Sequence, residues 1–331
     1  MRFLMTVMLV LSLLYSPGLR AQEVSPTYSD YLTDNLYLLH PSMAGASNRN
    51  KIRLTARRQW LDMKNAPGFE TLSLHARVKE NIGLGGIIFN DHNGNYSRRG
   101  TFGTFAYHLR FSIDDLDLNQ LSFGLSGGLI QHSLDQSGFT GPDPLIGEGR
   151  AADIYGNIDV GASYYYMNFF AHFSAKNILS VKRDLFFSDA VPANQRKFIF
   201  SGGYVIETFR RYWSYEPSLL FQWKEAANEK LVDLNLKVYR SLESGSLYGG
   251  ISYRRTLDAT TDTAYENLNY LTPFLGLEYN NLLFAYTYSQ QINETVISNG
   301  GFHQITLGYN FGKNRGRYDC YCPGVNQTRR R

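Results

Sequence analysis

The feature that most constrains this chain is a period of two that recurs from about residue 51 to residue 311. Side chains of a β-strand point to opposite faces in turn. Ile305, Leu307, Tyr309 and Phe311 share one face, and Gln304, Thr306, Gly308 and Asn310 share the other. Val232, Leu234, Leu236 and Val238 oppose Asp233, Asn235, Lys237 and Tyr239. Leu72, Leu74, Ala76 and Val78 oppose Thr71, Ser73, His75 and Arg77. Fourteen candidate strands follow, near 51–61, 70–79, 81–90, 100–112, 119–131, 153–166, 168–177, 197–208, 213–223, 229–240, 245–255, 269–279, 281–289 and 302–311. After residue 21 no run approaches the roughly 18 apolar residues of a membrane helix, which excludes a helical membrane protein.

A soluble sandwich alternates too, so composition has to separate the two. The chain holds 24 Tyr, 21 Phe and 30 Gly, with only 19% charged residues. Its mean hydropathy is nevertheless −0.30. Tyr and Phe near the ends of the apolar faces suit the aromatic girdle of a transmembrane barrel. Gly, Ser, Asn, Arg and Asp on the opposite faces suit a watery or plugged lumen. The expected fold is all-β: an outer-membrane barrel of about fourteen antiparallel strands with a short N-terminal helical segment. The links after strands 2, 6 and 12 read as brief, and those after 3, 5, 7, 11 and 13 as longer and polar. That asymmetry of short periplasmic turns and long outer loops, with an even strand count, expects both termini in the periplasm.

Residues 1–21 read as a secretory signal: Arg2, an apolar core from Phe3 to Tyr15, a Pro17-Gly18 break and Ala21 before the cut. Residues 22–50 form a periplasmic N-terminal segment. Ser25-Pro26 starts a helix there, Tyr28, Leu32, Leu36 and Leu39 share its apolar face, and Pro41 stops it. This segment packs into the lumen or against the rim, or is a loose leader. The barrel covers 51–312, and Phe311 ends it as the terminal barrel signal. The tail 313–331 carries six basic residues against Asp319. Residues 22–312 hold 25 basic and 28 acidic side chains, so the net charge of +4 gives no basic groove for nucleic acid.

The chemistry-bearing residues do not converge. Asp91-His92 lacks a partner pair of the kind an outer-membrane protease needs. Asp91 to Asn95 begins like a calcium loop, but Tyr96 stands where Gly is required; Asn93-Gly94 reads as a turn instead. Asp258, Asp262 and Glu266 read as a solvated loop. The seven histidines are scattered and show no metal spacing, and Cys320 and Cys322 are too few for a disulfide framework. Gly83, Gly85 and Gly86 precede no helix, so they form no phosphate loop. The reading is therefore no catalytic residues, no metal and no cofactor. Arg53, Arg57, Arg77, Arg110 and Arg254 fall on inward faces, where pairing with Asp159, Asp233 and Glu278 is expected. Arg58 falls on the lipid face, so it belongs at the membrane interface or after a bulge, because a mid-bilayer Arg costs about 2–4 kcal/mol.

The stretch from Tyr28 to Thr71 resembles the start of the PorP/SprF family of type IX secretion membrane proteins. The family's Tyr-rich opening, Asn-Pro-Ala-x-Ala-Gly box, Arg-x-Gln-Trp and downstream Pro correspond to Tyr28 and Tyr31, His40-Pro41-Ser42-Met43-Ala44-Gly45, Arg57-Arg58-Gln59-Trp60, and Pro67. Gly83 to Asp91, Ser174 to Leu179 and Gly249 to Arg254 fit as well. His40 replaces the usual Asn, and spacing to Gln59-Trp60 favours Arg58 as the motif arginine. The resemblance implies a non-enzymatic outer-membrane protein. It would support secretion or surface attachment of an adhesin-like cargo with a C-terminal sorting domain, together with other type IX secretion and gliding components. Pro41, Gly45, Arg58, Gln59, Trp60 and Pro67, with Asp91 in the next hairpin, would be its motif residues. Their local reading is a turn Pro, a left-handed Gly and an interfacial Trp. The alternative function is a porin-like channel for small polar solutes.

Overall fold

A computed structural model describes residues 30–59, 66–111, 118–137, 149–181, 195–208, 212–257, 269–292 and 301–312. Its strands are β1 (Asn50–Gln59), β2 (Gly68–Arg77), β3 (Ile82–Asn93), β4 (Tyr96–Arg110), β5 (Asn119–Asp135), β6 (Arg150–Tyr166), β7 (Phe169–Lys176), β8 (Lys197–Tyr204), β9 (Ile206–Glu207), β10 (Trp213–Lys224), β11 (Glu229–Leu242), β12 (Gly245–Thr256), β13 (Asn269–Tyr279), β14 (Leu282–Gln291) and β15 (Phe302–Phe311). β8 and β9 both pair with β10 and are parted only at Val205, so they make one wall strand. Neighbouring strands are antiparallel throughout. β1 pairs with β15 from Asn50↔Phe311 to Gln59↔Phe302, which closes a fourteen-stranded barrel.

Closure leaves no free edge, so every wall strand satisfies its backbone within the sheet, as a lipid environment demands. Leu54, Leu72, Leu84, Ile88, Leu125, Leu129, Leu236, Leu275, Phe284 and Leu307 all stand exposed on the outer face. A continuous band of this kind is covered by lipid. Tyr107, Phe111, Tyr166, Phe169, Tyr204, Trp213, Tyr279 and Tyr309 ring it at the end where β1 begins and β15 stops. This end is the near end below, and the opposite one the far mouth.

The brief links between β2 and β3, β6 and β7, β11 and β12, and β13 and β14 lie at the near end. Met167 and Asn280 take positive φ in two of them. The strand ends that flank the longer links after β5, β7, β12 and β14 lie at the far mouth. The link after β3 was expected to be long and is not. β3 and β4 continue to a hairpin closed by Gly94 (φ 57) and Asn95, because Asn93-Gly94 supplies the turn.

The N-terminal helix is also corrected. Residues 30–49 form three short 3₁₀ turns, η1 (Asp30–Thr33), η2 (Leu36–Leu38) and η3 (Pro41–Met43), in place of one amphipathic helix. Asp34 at φ 68 breaks the chain between the first two, and Pro41 opens the third. The described part of the segment, residues 30–49, packs inside the lumen, one of the placements expected for it. Residues on every side of it are buried, so a single apolar stripe was never required. Ser25-Pro26 and Tyr28 lie outside the described residues.

Candidate functional site: a plugged lumen

The inward faces of the near half carry small and polar residues, and these meet the plug around the wall. Tyr31 donates to Asp233 Oδ2 at 2.7 Å on β11, and Thr33 meets Thr306 at 3.1 Å on β15. Asn35 donates to Ser73 Oγ at 3.1 Å, and Tyr37 to Thr104 Oγ1 at 2.6 Å. His40 is fully buried between Ser174 and Ser201, at 2.8 and 2.9 Å, and stacks on His172. Burial, then the nearby His172 and Lys176, push the His40 pKa well below its ordinary value, so the ring is neutral. Ser42 meets Ser163 at 2.5 Å. His108 Nε2 donates to Ala44 O at 3.0 Å, Arg77 to Gly45 O at 2.7 Å, and Lys176 to Leu38 O at 2.8 Å. The free carbonyls of these short turns thus find partners on the wall, as buried backbone must.

Ion pairs complete the seat. Asp34 accepts from Lys51 Nζ at 2.9 Å and from Arg53 Nη2 at 2.8 Å, with all three groups buried. Two wall glycines fit the plug backbone. A Cβ at Gly124 would lie 2.2 Å from Pro41 C and Ser42 N, and one at Gly83 would lie 2.0 Å from Ala44 O. Both positions require a residue without a side chain.

The inward arginines follow the pairing expectation in part. Arg254 bonds Asp233 through two nitrogens at 2.7 Å. Arg53, however, pairs with Asp34 of the plug, and Asp159 lies 3.5 Å from Lys176. Glu278 accepts from Asn310 at 2.8 Å, and Arg57 lies over the Phe69 ring at 5.2 Å. Sequence reasoning missed Asp34, Lys51, His75, His108 and His172 as plug contacts. The histidines are remote in sequence, and only the barrel brings them together.

The motif residues fall in two groups. Pro41 and Gly45 belong to the plug; Gly45 takes φ 68 and its N–H donates to His75 Nδ1 at 3.1 Å. Arg58, Gln59, Pro67 and Asp91 sit at the far mouth. Arg58 points outward without a bulge, bonded to Glu70 at 3.1 Å and to His92 at 2.5 Å. Gln59 N donates to Pro67 O at 3.0 Å, and Asp91 pairs with Arg98 at 3.1 Å. Trp60 lies outside the described residues, as do Asp258, Asp262, Glu266, Cys320 and Cys322. Phe311 pairs with Asn50 at the closing seam and stacks on Tyr309. Among the described residues no group of His, Cys, Asp or Glu is arranged to hold a metal.

A closed, lipid-belted wall around a polar, occupied lumen defines an outer-membrane β-barrel. The CymD monoaromatic hydrocarbon channel shares this fold, with a TM-score of 0.51 at 10% identity over 85% of this chain and 94% of that one. The P. putida toluene transporter TodX gives 0.45 at 11% identity over 85% and 93%. BamA from Haemophilus ducreyi gives 0.41 at 11% over 80% and 70%. No curated protein sequence matches the chain. The model of the family "Type IX secretion system membrane protein PorP/SprF" matches residues 21–309, and the chain belongs to that family. It is an outer-membrane component of the type IX secretion type.

Proposed function

We propose that this barrel supports export and surface attachment of one partner protein bearing a C-terminal sorting domain, of adhesin or gliding-motility type. The observation that carries the reading is the plug. Its buried contacts run around the near half of the lumen, so the described state offers binding surfaces at two mouths and not an open solute path. In this reading residues 1–21 are a cleaved signal, and the near end with both termini faces the periplasm. That end and the basic tail 313–331 meet the secretion and gliding machinery. The far mouth, with the motif residues Arg58, Gln59, Trp60, Pro67 and Asp91, faces the cargo. The role is non-catalytic.

The test is a deletion strain whose secreted and surface proteomes are compared with wild type. Selective loss of a large sorting-domain protein is expected; an unchanged proteome overturns the reading. Planar-bilayer recording separates it from the solute-channel alternative, since steady open-channel conductance from the wild-type barrel favours the channel.

A further inference from the structure

The outer wall carries a polar network where the apolar belt ends at the far mouth. It crosses four strands. Arg58 Nη2 on β1 bonds Glu70 Oε1 on β2 at 3.1 Å, and Asn90 Nδ2 on β3 donates to Glu70 Oε2 at 2.7 Å. Arg99 Nε on β4 then donates to Asn90 Oδ1 at 2.9 Å. His92 on β3 touches both Arg58 and Glu70. Two arginines thus meet one carboxylate. Arg99 is exposed, and the network takes only its Nε, which leaves its two terminal nitrogens for a further acceptor. A guanidinium edge of this kind matches a phosphate.

From Arg99 towards the near end, the outer face of β4 runs Thr101, Gly103 and Phe105. Gly103 lies in cross-strand register with Gly86 on β3 and Gly127 on β5, so one row of the lipid-facing wall has no side chain across three strands. A Cβ would meet nothing within 4 Å at Gly103 or Gly127, and at Gly86 only Phe102 O, at 3.9 Å. Packing within the protein therefore does not call for these glycines, and glycine inside a strand weakens it. Leu84, Phe105 and Leu125 bound the row on one side, and Ile88 and Leu129 on the other. The shorter Thr101 stands between Ile88 and Leu129 and leaves a gap that leads up to Arg99. The basin so formed is about 10 Å wide, two strand spacings. Behind it Phe69, Phe89, Phe102 and Ile130 pack inside the lumen as one buried cluster, which fixes its floor.

We propose that this face holds one anionic lipid of the surrounding leaflet, with its phosphate on Arg99 and an acyl chain in the glycine basin. The two features are independent and point to one ligand. Arg99 stands at the edge of the apolar belt, at the height of lipid headgroups, and the basin lies deeper, within the belt. The arginine excess favours a phosphate-bearing lipid over a neutral one, and the basin favours a phosphate that carries a chain over a free one. The inference is independent of the secretion reading, because a barrel that holds no such lipid leaves that reading untouched.

Native mass spectrometry of the full barrel in detergent tests it with dioleoylphosphatidic acid, dioleoylglycerol and inorganic phosphate. One phosphatidic acid per barrel is expected to be retained, at a concentration about tenfold or more below that needed for dioleoylglycerol, the worth of a charge-assisted contact. Inorganic phosphate at equal concentration should not displace it. Arg99→Gln should bring phosphatidic acid to the level of dioleoylglycerol and leave dioleoylglycerol unchanged. Gly103→Leu, which fills the basin, should weaken both lipids. Arg255→Gln, at an exposed position on β12, should change neither. A heat-modifiability gel confirms that each variant is folded. Absent retention of phosphatidic acid, equal retention of the two lipids, displacement by phosphate, or retention indifferent to Arg99→Gln or to Gly103→Leu overturns the proposal, as does an equal loss with Arg255→Gln.

Discussion

Asp34→Asn is the sharpest probe of the plug. Asp34 sits at φ 68, a conformation that Asn tolerates as well as Asp, so the substitution removes charge without straining the turn. It leaves Lys51 and Arg53 as buried cations beside a neutral amide. Breaking a buried pair by removing one partner costs about 3–5 kcal/mol. Arg53 retains Asn310 Oδ1 at 2.8 Å and the Ile52 carbonyl at 2.9 Å, which favours the lower end of that range. A loss of about 3 kcal/mol shifts the docked-to-released ratio of the plug by roughly a hundredfold. The assay is maleimide labelling of Ser42→Cys in intact outer membranes, in a background with Cys320 and Cys322 replaced by Ser. Ser42 is wholly buried when docked, so labelling reports release. Faster labelling by about two orders of magnitude is expected, with the heat-modifiable barrel band retained. Labelling at the wild-type rate would show that the ion pairs do not hold the plug.

Three further outcomes follow from the same geometry. Gly124→Val, whose Cβ would meet Pro41 and Ser42 backbone at 2.2 Å, should expel the plug and admit labelling at Ser42→Cys while the barrel still runs as folded. His40 is held neutral inside the lumen but regains an ordinary pKa near 6.5 when released. Docking should be unaffected above that pH and weaken below it, with His40 contributing at most about 1.4 kcal/mol per unit, as the released form takes up a proton that the docked ring refuses. Labelling at pH 7.5 and 5.5, each rate referred to the released thiol of Gly124→Val at the same pH, checks this, and His40→Asn should reduce the difference. Arg254→Met leaves Asp233 buried without its cation and should cost about 3–5 kcal/mol in urea-induced unfolding, whereas Arg58→Met, on the outer face, should cost far less.

The wall was legible because a strand's period is local and survives in each stretch. Leu72 and Leu74 alternate with Ser73 and His75 whether or not the barrel closes. The plug was not legible as a shape. Tyr28, Leu32, Leu36 and Leu39 do have helical spacing, but a segment enclosed on all sides gains nothing from one apolar stripe, and Asp34 in a left-handed turn breaks it. The three wall histidines around the plug carry no sequence spacing, since the barrel alone brings residues 75, 108 and 172 to the segment that holds His40. The inward Phe69, Phe89 and Phe102 were hidden by the reading that apolar residues face lipid. The signal was present as an unbroken parity: Phe89 continues the series Gly83, Gly85 and Ile87, whose first members face the plug.

The closing seam has a consequence for how the molecule is held together. The plug precedes β1 directly, and β15, the last of the described strands, is the one that meets β1. Thr33 of the plug bonds Thr306 on β15, while Thr306 also meets Thr55 on β1 at 3.2 Å. The same segment grips β1 through Asp34. The docked plug therefore bridges the first strand and the last, and holds the seam from within the lumen in addition to the ladder that β1 and β15 share.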